Sequence, residues 1–277
     1  MGAMNRALLP LALLLAAAPA AAGDLASTVY ERTLMRDAGA RCGLFSAEVQ
    51  TALAAGALQA RGAALRAGAS AAVLDAAAAR AGLRASREPC GSPDLRLAAE
   101  RVRGAFSGWG RQAVLDLPGV RGGWSARRFP DRPQPFWALS TRTDVNGATV
   151  MLGFRKAEGS RGPAAFAAEA AAPDAGRAYL VRLVVRDPRL APQPYLAADG
   201  APPTGATLSV MASGKRALNG GAAWRWAFPD SAADALARLD PREHARLELV
   251  FPGERTVSTL IEAGDFAVGR AFLSAGD

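Results

Sequence analysis

The sequence is poor in the residues from which catalytic and metal centres are built. It has one histidine, two cysteines and 6% aromatic residues. Two of its 33 basic residues, Lys156 and Lys215, are lysines, and the rest are arginines. Two cysteines with one histidine cannot supply the four ligands of a structural zinc site, so no metal is expected. The cysteines are not spaced C-x-x-C, which sets aside a redox pair. No serine lies in G-x-S-x-G, and none has a lysine three positions on, so two common serine-hydrolase signatures are missing. Gly214-Lys215 has the look of a phosphate loop. However, Ser209 stands where the leading glycine belongs, and Arg216 stands where Ser or Thr would bind magnesium. There is no glycine-rich dinucleotide fingerprint and no Asp-rich calcium loop. No catalytic residue and no cofactor is therefore nominated. A nucleic-acid partner is not expected either, because no run of five or six like charges occurs. No internal repeat is present.

Residues 1–22 read as a cleavable secretory signal. Met1–Arg6 carries one positive charge, Ala7–Leu15 is a short apolar run, and Ala16–Ala22 is built of small residues. Ala20-Ala21-Ala22 fits the A-x-A cleavage pattern, which puts the mature start at Gly23. The apolar run is shorter than the ~20 residues that a spanning helix needs. No cysteine follows it closely, and no twin arginine precedes it. No later segment is long and apolar enough to cross a bilayer. The expectation is an exported protein, periplasmic or secreted, with no membrane span after cleavage.

The formal charge is +8, from 33 basic and 25 acidic residues. Such a balance suits lipid A phosphates or anionic envelope polymers. An Ala- and Arg-rich, Lys-poor chain is also what a GC-rich genome writes, and the arginines are scattered along the sequence.

Helical signals fill residues 23–111. One helix is expected over 25–38. Ser46 fits an N-cap for a helix over 47–66, and Ser70 fits one for 71–84. Ser92-Pro93-Asp94 supplies a cap, a first-turn proline and a first-turn acid for a fourth helix. In that helix Leu95, Ala98, Ala99, Val102, Phe106 and Trp109 recur at helical spacing. If the four run up and down, Cys42 and Cys90 fall in loops at the same end, and an exported protein would join them in a disulfide.

The period changes near residues 112–120. Asn146-Gly147 is a two-residue hairpin turn joining about 136–144 to about 148–156. Tyr179, Val181, Leu183 and Val185 alternate with Arg182 and Arg186. Ala245, Leu247, Leu249 and Phe251 alternate with polar neighbours, and Pro252–Arg255 turns that strand into Thr256–Glu262. Short helices are expected at 232–239, capped by Ser231, and at 266–274, capped by Asp265. Pro130–Pro135 and Pro192–Gly205 read as surface loops. The fold class is α+β: a disulfide-stapled helical region (23–111), then an antiparallel β-sandwich or open barrel with short helices (112–277).

The C-terminal order is the helix at Ser231–Leu239, an alternating strand, a turn, and then Thr259–Leu273 with Gly264-Asp265-Phe266 at its centre. It resembles the end of the invasion-associated locus B family of small exported proteins from alphaproteobacteria, in which a strand runs into a Gly-Phe pair and a closing helix. Here Asp265 separates the pair, and the cysteines usual in that family are absent from this half of the chain. The whole chain also looks like exported proteins of GC-rich Gram-negative bacteria. Neither resemblance implies a reaction or a catalytic residue.

Three features are candidates for function. Trp224-Arg225-Trp226 would place two indoles on one strand face: a sugar or peptide platform if exposed, core if buried, with Phe228 on the same face favouring burial. His244, on the polar face of a strand beside Arg246 and Glu248, reads as an exposed imidazole. Asp144, Glu158, Asp187, Asp199 and Asp230 could hold a carboxylate pair, but they fall where turn and cap chemistry is usual. The expectation is a non-enzymatic envelope protein that binds or scaffolds an envelope protein or polymer. The alternatives are a carboxylate-dependent envelope hydrolase and an arginine-driven polyanion binder.

Overall fold

A computed structural model describes residues 22–129, 136–145, 147–155 and 165–274. Residues 1–21 of the expected signal segment, the expected loop at Pro130–Pro135, Asn146 and Glu158 lie outside them. The chain is α+β. Four helices come first: α1 (Ala22–Cys42), α2 (Ala47–Arg66), α3 (Ala71–Arg87) and α4 (Pro93–Phe106).

The capping residues explain these boundaries. Ser46 Oγ accepts from the Val49 N–H at 3.4 Å, and Ser92 Oγ accepts from the Leu95 N–H at 3.1 Å, with Pro93 in the first turn. Each satisfies a donor that the first helical turn leaves unpaired. Ser70 precedes α3 in an extended conformation, but its side chain makes no cap bond. The bundle interior is largely alanine and leucine: Met35, Ala38, Leu53, Ala85, Leu95 and Ala99 form one cluster, and Val29, Ala60, Ala64, Leu65, Ala69 and Leu74 another. Small side chains let helix axes come close, which partly offsets the little area each alanine buries. Cys42 and Cys90 are bonded, with Cα atoms 5.5 Å apart across 48 residues of sequence. Closing that loop contributes about 4 kcal/mol in the chain-entropy account.

Eleven strands follow among the described residues: β1 (Val114–Leu117), β2 (Trp124–Phe129), β3 (Phe136–Val145), β4 (Ala148–Arg155), β5 (Ala165–Ala170), β6 (Leu180–Arg186), β7 (Thr207–Met211), β8 (Gly214–Leu218), β9 (Ala223–Ala227), β10 (His244–Val250) and β11 (Thr256–Glu262). They form two antiparallel sheets, one ordered β1-β2-β3-β4-β5-β9-β8 and the other β11-β10-β6-β7. Val145 pairs with Ala148 across the hairpin, and Gly147 has the positive φ, +80°, that such a turn demands.

The inner faces of the two sheets share one core with two short helices, α5 (Asp230–Ala237) and α6 (Phe266–Ser274). The start of α5 differs from expectation: Pro229, not Ser231, occupies its N-cap. Asp265 stands directly before α6, as expected, and its carbonyl accepts the Gly269 N–H at 3.0 Å, while its carboxylate reaches Arg66 on α2. Helix α6 lies between α2 and the inner face of β2 and β3, and so joins bundle to sandwich. Arg128 locks the same junction. Its buried guanidinium donates to the carbonyls of Gln112 at 3.0 Å, Phe272 at 2.8 Å and Trp109. It also lies over the rings of Trp109 and Phe272.

Candidate ligand-binding groove

The outer face of the seven-stranded sheet carries a hollow of about 760 Å³, continued by a second of about 460 Å³. Strand register explains it. Outward positions repeat every second residue, so antiparallel pairing stacks them into rows that cross the strands. One row runs Ser125, Ser140, Gly153, Ala167, Ala227, Gly214. No side chain in it is larger than serine, so the sheet has a low floor from β2 to β8. With strands ~4.8 Å apart, the row is about 24 Å long.

Both neighbouring rows carry arginine. On one side Arg127 and Arg155 flank Ala138. On the other, Arg142, Met151, Glu169, Arg225 and Arg216 follow one another across β3, β4, β5, β9 and β8. The two walls stand about 14 Å apart, four residues along a strand. Gly153 is required in this floor: a Cβ there would sit 1.9 Å from the Leu139 carbonyl oxygen, at φ +154°.

The charges are only partly spent. Arg225 donates to Glu169 Oε1 at 2.8 Å and to the carbonyls of Arg155 and Ala165. Arg155 stands 3.8 Å from the same carboxylate and is half exposed. Arg127, Arg142 and Arg216 are exposed, with no hydrogen-bonding or ion-pair partner among the described residues. The acids lining the two hollows are Asp116, which accepts from Ser125 Oγ at 2.8 Å, and Glu169. One end of the groove is braced by Glu262. Its carboxylate accepts the backbone N–H groups of Val120, Arg121 and Gly122, while its carbonyl accepts the Trp124 indole N–H.

The tryptophans do not belong to this surface. Trp224 and Trp226 do share a strand face, but it is the inner one: Trp226 is 3% exposed and Trp224 packs on Gly176 beneath Lys215. They are core, as Phe228 suggested, and form no open platform. Arg225, between them, points outward into the groove.

His244 is not the exposed imidazole expected. It is half-buried under the Gly200 loop, and its Nε2 has no partner among the described residues. Burial pushes its pKa down; the Glu262 charge opposes this and the Arg121 charge adds to it.

The acids nominated for a carboxylate pair serve local structure. Asp144 accepts from Thr149 Oγ1, Asp187 from the Arg189 N–H and guanidinium, and Asp199 from the Ala201 N–H, while Asp230 starts α5. The hydrogen bonds from Arg189 hold Asp187 below its usual range. Burial acts to raise Asp240 and Glu248, but arginine outweighs it and both are lowered: Arg242 at Asp240, Arg182 and Arg246 at Glu248.

Among the described residues, no helix is long and apolar enough to cross a membrane, and no group of three His, Cys, Asp or Glu could hold a metal ion. No family model, curated protein or solved structure matches this chain.

Proposed function

We propose that this chain is an exported, non-enzymatic binding protein of the cell envelope, and that its groove takes a linear polyanion. The observation that carries this is the floor of small side chains with arginine on both walls. Guanidinium groups match carboxylate and phosphate oxygens in paired hydrogen bonds. Arg127, Arg142 and Arg216 hold theirs in reserve on an open surface. A long, shallow trough suits a chain that passes across it better than a compact small molecule, which seeks an enclosed pocket. The Cys42–Cys90 disulfide supports an oxidising compartment, and so the periplasm or beyond.

The test is a titration of residues 23–277, disulfide intact, into fluorescein-labelled dextran sulfate at low and high salt. Affinity is expected to fall steadily with salt. The pair Arg142→Glu and Arg155→Glu is expected to weaken binding at least about tenfold at low salt. The pair Arg96→Glu and Arg101→Glu, on the exposed face of α4, should leave most of it intact. Equal losses in both pairs, or no binding at low salt, would reject the groove.

A further inference from the structure

Resting on the polyanion assignment above, we propose that the groove's ligand is an acidic glycan: an extended chain with one carboxylate per sugar, on alternating edges. The basis is the order of the free and half-free cations along the groove axis. Arg127 stands on β2, Arg142 on β3 and Arg155 on β4, which are successive strands of the sheet. Arg127 and Arg155 belong to one wall and Arg142 to the other. The cations therefore advance by one strand spacing, about 4.8 Å, and change side at each step.

That period discriminates between linear polyanions. An extended peptide also alternates sides, but it advances only ~3.3 Å per residue and is about 3 Å out of register by the third cation. Polyphosphate has a shorter repeat still. An equatorially linked pyranose chain with twofold symmetry advances about one ring per strand spacing and turns successive carboxylates to opposite edges. The floor suits such rings. Gly153 leaves room for a flat ring, and the Ser125 and Ser140 hydroxyls stand where sugar hydroxyls would pass. At the fourth position, on β5, the wall offers Glu169, already neutralised by Arg225, so the matched stretch is three sugars long.

The test compares β-1,4-linked polymannuronate, poly-L-glutamate and inorganic polyphosphate, matched in charge, as competitors for the labelled dextran sulfate. Polymannuronate is expected to compete at least about tenfold better than either. Arg127→Gln, Arg142→Gln and Arg155→Gln should each weaken it by roughly fivefold. Ser140→Leu, which fills the floor without changing charge, should weaken polymannuronate while sparing poly-L-glutamate. If all three polymers compete equally, or Ser140→Leu affects them alike, the glycan assignment fails and the polyanion assignment stands. If the protein does not bind the labelled dextran sulfate at low salt, both fail.

Discussion

Arg66 and Asp265, 199 residues apart in the chain, meet in two parallel hydrogen bonds of 3.1 and 2.8 Å. The carboxylate is buried and the guanidinium mostly so. Helix α2 presents Gly62 at the contact, where a Cβ would lie 2.7 Å from Asp265 Oδ1. The pair ties the helical bundle to the loop that begins α6. Breaking a buried ion pair strands the remaining charge, but Arg66 keeps some access to water. Asp265→Ala is therefore expected to lower stability by about 2–3 kcal/mol, read as a lower urea midpoint at unchanged slope. An unchanged midpoint would mean that apolar contact alone holds the two parts together.

Gly153 is a second position without room for a side chain. A β-carbon there would collide with the Leu139 carbonyl oxygen on the neighbouring strand, and backbone has no rotamer with which to yield. Gly153→Ala is expected to cost about 3 kcal/mol, by forcing β3 and β4 apart. Thermal unfolding would show it, and a variant with wild-type stability would mean that the sheet relaxes freely at this position.

His244 should give the protein a pH-dependent stability. The folded state resists protonation of this imidazole, because burial and the nearby Arg121 outweigh Glu262. The unfolded chain takes up a proton near the ordinary value of 6.5. Stability from this site is thus complete above that value and is lost as pH falls through the window down to the folded pKa. Asp240 and Glu248, lowered by arginine partners, bring a separate loss that starts only near the usual carboxylate range. Urea unfolding at about pH 8 and about pH 5 should show a drop in the wild type that His244→Gln largely removes. An identical drop in the variant would assign the effect to other groups.

Much of the fold is legible in the sequence because its signals are local. Ser46 and Ser92-Pro93 mark helix starts, and Pro252–Arg255 marks a strand turn, through chemistry that needs no distant partner. The alternation in Val181–Val185 and Ala245–Phe251 needs only a buried face. The pairing of Trp224 with Trp226 was equally readable, and Phe228 gave the direction of that face. The groove is different in kind. Ser140, Gly153, Ala167 and Ala227 are unremarkable separately and become a floor only through the register of β3, β4, β5 and β9. The same holds for Arg127, Arg142, Arg155, Arg216 and Arg225, which look scattered along the chain and converge across it. The covering of His244 depends on Gly200, more than forty residues upstream, and periodicity carries no trace of such a contact.

Strand β8 has a role beyond closing one end of the groove. It is the outermost strand of the larger sheet, where an unpaired backbone edge would template strands from neighbouring molecules. It is only five residues long and carries Lys215 and Arg216 on its opposite faces. Short, charged edges of this kind discourage sheet-to-sheet aggregation. Arg216 thus has two roles, lining the trough while guarding the rim. A chain bound across the strands leaves that rim untouched, so occupancy of the trough and protection from self-association do not compete.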